Sequence, residues 1–222
     1  MSSGTPKKNM NKGGDIVRFQ PRGMDLINSN PNYMETFRKA WCLKFFQKLD
    51  GHQVDAAYRF VLNYDGKSSK VGELVIPVTK QDISVAIGIP AEGEKWFKGT
   101  TLDISECKQF FKKEYQDIKI MTRAQRKCMT KDNDELLRVI QRYFTCEGRF
   151  NMVYLYHIRL LLHFTGQRTL NIPYFLHRSI GKMADKIQGN SKKFESHLFH
   201  YTLIKLLIVK KLKKRKGHGS PS

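Results

Sequence analysis

Apolar residues in this chain recur mostly every three to four positions, the period of helices with one buried face, and a single short β-branched run interrupts them. Asn30-Pro31 offers an N-cap followed by proline at the first helical position. Phe37, Trp41, Phe45 and Leu49 then repeat at four-residue spacing. Tyr33, Met34, Cys42 and Phe46 widen the stripe, which predicts an amphipathic helix over 31–49 ended by Asp50-Gly51. The stripe reads as core rather than as a base-stacking platform, since such platforms usually sit on sheets and OB-folds. A second helix is expected over 53–62, and Asn63-Tyr64-Asp65-Gly66 marks a turn.

Residues 73–78 (ELVIPV) read as a short strand, and Pro77 places it at a sheet edge. Thr79 and Asp82 form a capping-box pair with Asp in place of the usual Glu. Ile83, Ala86 and Ile87 then face inward, Gly88 supplies a left-handed stop, and Pro90 prevents continuation. Helical patches follow around 107–115 and 124–129. Residues 131–134 read as a loop capping a helix over 134–145. Further helices are expected over 150–164, over 173–187 after Asn171-Ile172-Pro173, and over 195–212. In the last, Leu198, Tyr201, Leu203, Ile204, Leu207 and Ile208 form the apolar face. No internal repeat is present. The pattern predicts a mainly α fold with one small β-hairpin or short strand element. It divides the chain into a disordered arm at 1–22, a helical domain at 23–212 and a basic disordered tail at 213–222.

Composition makes that domain credible: 40% of the 222 residues are hydrophobic and 27% charged, enough to build a core. Charge adds more. The net charge is +20, and it is uneven: residues 1–110 hold 16 Lys+Arg against 12 Asp+Glu, residues 111–222 hold 24 against 8. A field of that kind draws polyanions, with DNA or RNA phosphates first, then anionic membrane, then acidic protein. Arg123, Arg126 and Lys127 are candidate phosphate contacts, as is the cluster Lys210, Lys211, Lys213, Lys214, Arg215 and Lys216. The cluster has three readings: nuclear import or nucleic-acid contact, a solvated helix end whose cations complement the dipole, and attachment to a membrane surface. A protein partner, or a second copy of the chain, is the alternative to nucleic acid.

The four cysteines form no Cys-x-x-Cys pair and the N-terminal stretch is polar without an apolar core, which predicts reduced thiols and an intracellular protein, and the import-like 210–216 cluster points to the nucleus. The longest apolar stretch, 152–164, carries His157, Arg159 and His163 and suits a buried helix better than a membrane span. Cys128, Cys146, His157 and His163 fit no zinc spacing. His157 and His163 are offset onto different helix faces, and the neighbours His197 and His200 lack a third ligand. Phosphate-binding, dinucleotide and nucleophile-elbow glycine patterns are absent. Asp132, Asp134 and Glu135 have a capping explanation, and Asp65 precedes a turn glycine. The chain is therefore read as non-catalytic, with no metal, cofactor or small-molecule ligand.

Residues 78–97 (VTKQDISVAIGIPAEGEKWF) follow the pattern Thr-x-x-Asp-Ile/Val, four residues, Gly-Ile/Leu-Pro-x-x-Gly, through Thr79, Asp82, Ile83, Gly88, Ile89, Pro90 and Gly93. This segment resembles the plant transposon protein domain and the similar plant mobile domain. The aromatic helix around Phe37–Phe46 and the runs at 170–186 and 199–209 resemble other helices of these families. The resemblance covers roughly residues 25–212, more loosely over 98–150. It implies a helical domain derived from, or accompanying, mobile elements, and it carries over no catalytic residue. The basic C-terminus lies outside the pattern.

Overall fold

The computed structural model describes residue 35 and residues 54–97, 104–116, 123–145, 151–189 and 200–217. The arm at 1–22, the helix expected over 31–49 (apart from Glu35, which is helical), Cys42, Cys146, His197, Leu198 and residues 218–222 lie outside the described residues. The order is α1 (Val54–Leu62), β1 (Ser68–Val71), β2 (Leu74–Pro77), α2 (Lys80–Ile87), α3 (Ile104–Lys108), a 3-10 turn at Lys113–Tyr115 and β3 (Arg123–Gln125). A second 3-10 turn at Arg126–Cys128 leads into α4 (Lys131–Ile140), a π turn at Gln141–Thr145, β4 (Met152–Tyr154), α5 (Leu155–Phe164), α6 (Ile172–Gln188) and α7 (Tyr201–Gly217). The fold is mainly α, with two small antiparallel two-stranded sheets among the described residues, β1–β2 and β3–β4. One contiguous core runs from Ala57 to Ile208.

The first half is built around a corner. Asp65 Oδ1 accepts from the N–H groups of Lys67 (2.8 Å) and Ser68 (2.6 Å), turning the chain into the hairpin, whose register runs from Ser68↔Pro77 to Val71↔Leu74. Helix α2 starts and stops as its caps dictate. Thr79 Oγ1 accepts from Asp82 N at 3.1 Å, Asp82 Oδ2 accepts from Thr79 N at 3.2 Å, and Gly88 sits at φ +80° with its N–H on the Ser84 carbonyl. Ile83 and Ile87 are buried, and α2 packs on α6 and α7. The chain then crosses the loop that precedes α6. Glu94 N donates to Thr169 O and Asn171 N to Glu94 O, both at 2.9 Å. Gly93 lies at φ +93°, and a Cβ there would meet Thr169 O at 2.4 Å, so only glycine fits. Trp96, 2% exposed, stacks on Phe175 with ring centroids 4.8 Å apart. Arg159, Glu94, Arg168 and Glu106 form a chain of ion pairs across this corner, at 2.6, 3.2 and 2.6 Å.

Several expectations hold and several need correction. Helix α6 begins at Ile172 with Asn171 Oδ1 accepting from Tyr174 N (2.9 Å), and Phe175, Ile180, Met183 and Ile187 are buried as the periodicity predicts. Residues 124–129 are a strand and a 3-10 turn rather than a helical patch, and 152–154 is a strand preceding α5 rather than its first turn. The cause is mutual: β3 and β4 pair from Arg123↔Tyr154 to Gln125↔Met152, a contact too distant in sequence to show as periodicity. Helix α4 starts at Lys131, not 134: Thr130 stands at the N-cap position with its carbonyl accepting from Asp134 N (2.9 Å), and its Oγ1 accepts from the Asn133 side-chain Nδ2 (2.8 Å). Helix α7 continues through Gly217, five residues into the tail expected to be disordered. Lys and Arg are good helix formers, and their cations are favoured at a helix C-terminus.

Candidate functional site

The segment 123–130 is a rib held along both edges. On one side β3 pairs with β4, and Arg126 N donates to Asn151 O at 2.9 Å. On the other, Phe111 bridges Met129, Lys112 N donates to Cys128 O (3.0 Å) and Thr130 N donates to Phe110 O (3.1 Å). Buried Cys128 and Met129 anchor the rib to the core, so Arg126 and Lys127 are turned outward beside the first turns of α4. The outcome is a cleft of about 630 Å³, of a size that suits a ligand larger than a single phosphate.

Its walls carry Lys112, Arg126, Lys127, Lys131 and Arg138 against one carboxylate, Asp134. Asp134 is a hub: Arg126 Nε lies 2.5 Å from Oδ1, while Oδ2 accepts from Arg138 Nε (3.2 Å) and Nη2 (3.1 Å). It orients both guanidinium groups, and five cations against one anion leave the cleft at +4. Lys112, Lys127 and Lys131 are exposed and make no ion pair among the described residues. Such a concentration of one sign raises the local potential for anions.

The cleft is positioned from beneath by a buried polar cluster. Gln141 Nε2 donates to Met152 O at 2.9 Å, tying the end of α4 to β4. Thr145 Oγ1 donates to Gln141 O at 3.3 Å and lies 3.4 Å from His157 Nε2. His157 Nδ1 accepts from Tyr154 N (3.2 Å), which leaves Nε2 as the nitrogen that donates to Thr145. The π turn places Gln141 and Thr145 together against α5, and all three side chains are buried. His157, considered above as a zinc ligand, is thus a hydrogen-bonding brace. His163 is another: its Nδ1 accepts from Leu170 N (3.2 Å), and burial pushes its pKa below the ordinary 6.5 despite the Arg168 carbonyl beside it. No group of three His, Cys, Asp or Glu suited to a metal ion occurs among the described residues.

The structure separates the candidate contacts. Arg126 and Lys127 line the cleft. Arg123 enters β3 opposite Tyr154, and its side chain, like those of Lys214 and Lys216, lies outside the described residues. The 210–216 cluster belongs to α7, which packs on α1, α2 and β2, and none of its residues lines the cleft. Lys210 Nζ donates to Asp82 O at 3.3 Å and lies 3.8 Å from Asp82 Oδ1, so it is part of the corner. Lys213 and Arg215 are exposed. Sequence reasoning did not single out Lys112, Lys131 and Arg138. The available signal was the lysine and arginine excess from Lys108 to Lys131, which needs the fold to become a surface.

Among the described residues no helix is long and apolar enough to cross a membrane. Comparison with protein-family models, curated proteins and solved structures finds no match to this chain.

Proposed function

We propose that this chain is a non-catalytic nucleic-acid-binding module of mobile-element origin that grips phosphates in the basic cleft. The observation that carries the reading is the convergence of five cations from three chain segments on one concave surface, with a single carboxylate spent on orienting two of them. Contacts of this kind supply affinity and register without sequence choice. The ancestry rests on the resemblance of residues 78–97, whose matched positions act as caps, stops and a close approach. A nuclear location follows from the same reading and from the basic stretch of α7.

The test is fluorescence anisotropy of labelled DNA and RNA over a salt series. Binding should weaken steeply with salt. Replacing Lys112, Lys127 and Lys131 together by Gln should lower the log–log slope by about 2–3, at roughly 0.7–0.9 for each phosphate no longer neutralised. An absence of binding at low salt ends the reading. Self-association that persists at high salt would then mark the chain as a protein–protein assembly or transposase-accessory module.

A further inference from the structure

The cleft is more than a row of cations. Its floor includes the buried Met129 and the half-buried Met152, and its rim carries the exposed amides of Gln125 and Asn151. Neither side-chain amide makes a hydrogen bond among the described residues. Gln125 is the register partner of Met152. Two residues along β4, about 6–7 Å away and on the same strand face, stands Tyr154. Its ring stacks on that of Tyr156, with centroids 5.3 Å apart and planes 4° from parallel, and both rings are half-buried.

Duplex phosphates need only the cations. Apolar floor, unpaired amides and a parallel ring pair suit unstacked bases, which present a flat face and hydrogen-bonding edges. Resting on the phosphate reading above, we propose that the ligand is single-stranded nucleic acid. The lysines hold its backbone, a base lies over the methionine floor within reach of Gln125 and Asn151, and the next stacks on the Tyr154–Tyr156 pair. The spacing between Met152 and Tyr154 is close to that of adjacent nucleotides in an extended strand.

The experiment compares oligonucleotides of about ten nucleotides, within the span of known single-strand sites, as single-stranded DNA, single-stranded RNA and duplex of the same sequence at fixed salt. Both single strands should bind at least about tenfold tighter than the duplex, and the RNA and DNA arms show which backbone is preferred. Tyr156→Leu should weaken single-strand binding by roughly tenfold or more and leave duplex binding unchanged, while Tyr156→Phe restores it. Gln125→Ala, at an exposed position, gives a second readout by narrowing the spread of affinities among homopolymers. Duplex binding as tight as single-strand binding, with Tyr156→Leu and Gln125→Ala both neutral, overturns this inference and leaves the phosphate reading standing. No binding by any oligonucleotide removes both.

Discussion

The corner formed by residues 74–97 with Arg159, Arg168 and Lys210, and the cleft formed by 112–152, both gather cations, and they use them in opposite ways. In the corner each named cation meets acid: Lys210 meets Asp82, Arg159 meets Glu94, and Arg168 bridges Glu94 to Glu106. In the cleft, Asp134 pairs with Arg126 and Arg138 alone, and Lys112, Lys127 and Lys131 make no ion pair among the described residues. Arg159 also lies over Trp96, 5.8 Å from the ring, and is itself 7% exposed, so its charge is tied into packing. The comparison teaches that net charge is a poor guide to where a basic protein binds. The ratio of cations to acids within ion-pairing distance separates a structural surface from an available one.

The contrast breaks if changes in the corner fail to destabilise the fold. Trp96→Ala should cost the most, about 3–5 kcal/mol, because it removes a buried ring stacked on Phe175. A chemical denaturation midpoint reads the loss. Gly93→Ala should cost about 2–3 kcal/mol, since the added Cβ meets Thr169 O in a backbone region that disfavours side chains. Gly72→Ala, at φ +58° with open space around it, is the control and should cost only about 1 kcal/mol. A result as large as that for Gly93 would mean that close approach is not what the corner requires.

Smaller effects sharpen the comparison. Thr79→Ala removes the N-cap of α2 and should lower stability by about 1 kcal/mol, with the helix itself retained. The cleft variants Lys112→Gln, Lys127→Gln and Lys131→Gln should each stay within about 0.5 kcal/mol of the parent, although they weaken polyanion binding. A large stability loss from any of them would place the cleft with the corner as structure. The pH dependence is smaller still. His163 is held below 6.5 in the folded state, so the unfolded chain binds the proton more readily. The stability it permits is present above about pH 6.5 and is lost as pH falls through the lowered folded value. Burial lowers His177 in the same sense, with Lys80 and Arg178 adding repulsion. Thermal melts between pH 7.5 and 5 should show the decline, and His163→Gln should flatten it.

The two regions also differ in how far the sequence exposed them. Thr79, Asp82, Gly88 and Asn171 act on neighbours within four residues, so their roles were legible before any fold existed. The cleft depends on strands of three residues that meet across a separation of almost thirty. Such strands are too short for alternation to be visible, and the apolar run 152–164 blends β4 into α5. The expected loop at 131–134 is the first turn of a helix, with Thr130 at the N-cap position and the start three residues earlier than the acidic residues suggested. Arg126 and Lys127 were found by charge alone. Lys112, Lys131 and Arg138 join them only through tertiary packing.

The continuation of α7 to Gly217 changes what its basic stretch can do. The first part of the helix is anchored through Leu203, Ile204, Leu207 and Ile208, while Leu212, Lys213 and Arg215 are exposed. Positions 210–216 make almost two helical turns at about 100° per residue, so the cationic positions wind around an axis rather than lining one side. Charge arranged as a spiral has no preferred direction of approach. On the proposed reading it would act on the rate at which a polyanion arrives, and salt would slow that arrival. On the same reading the cleft, with two guanidinium groups paired to Asp134, acts on how long the polyanion stays.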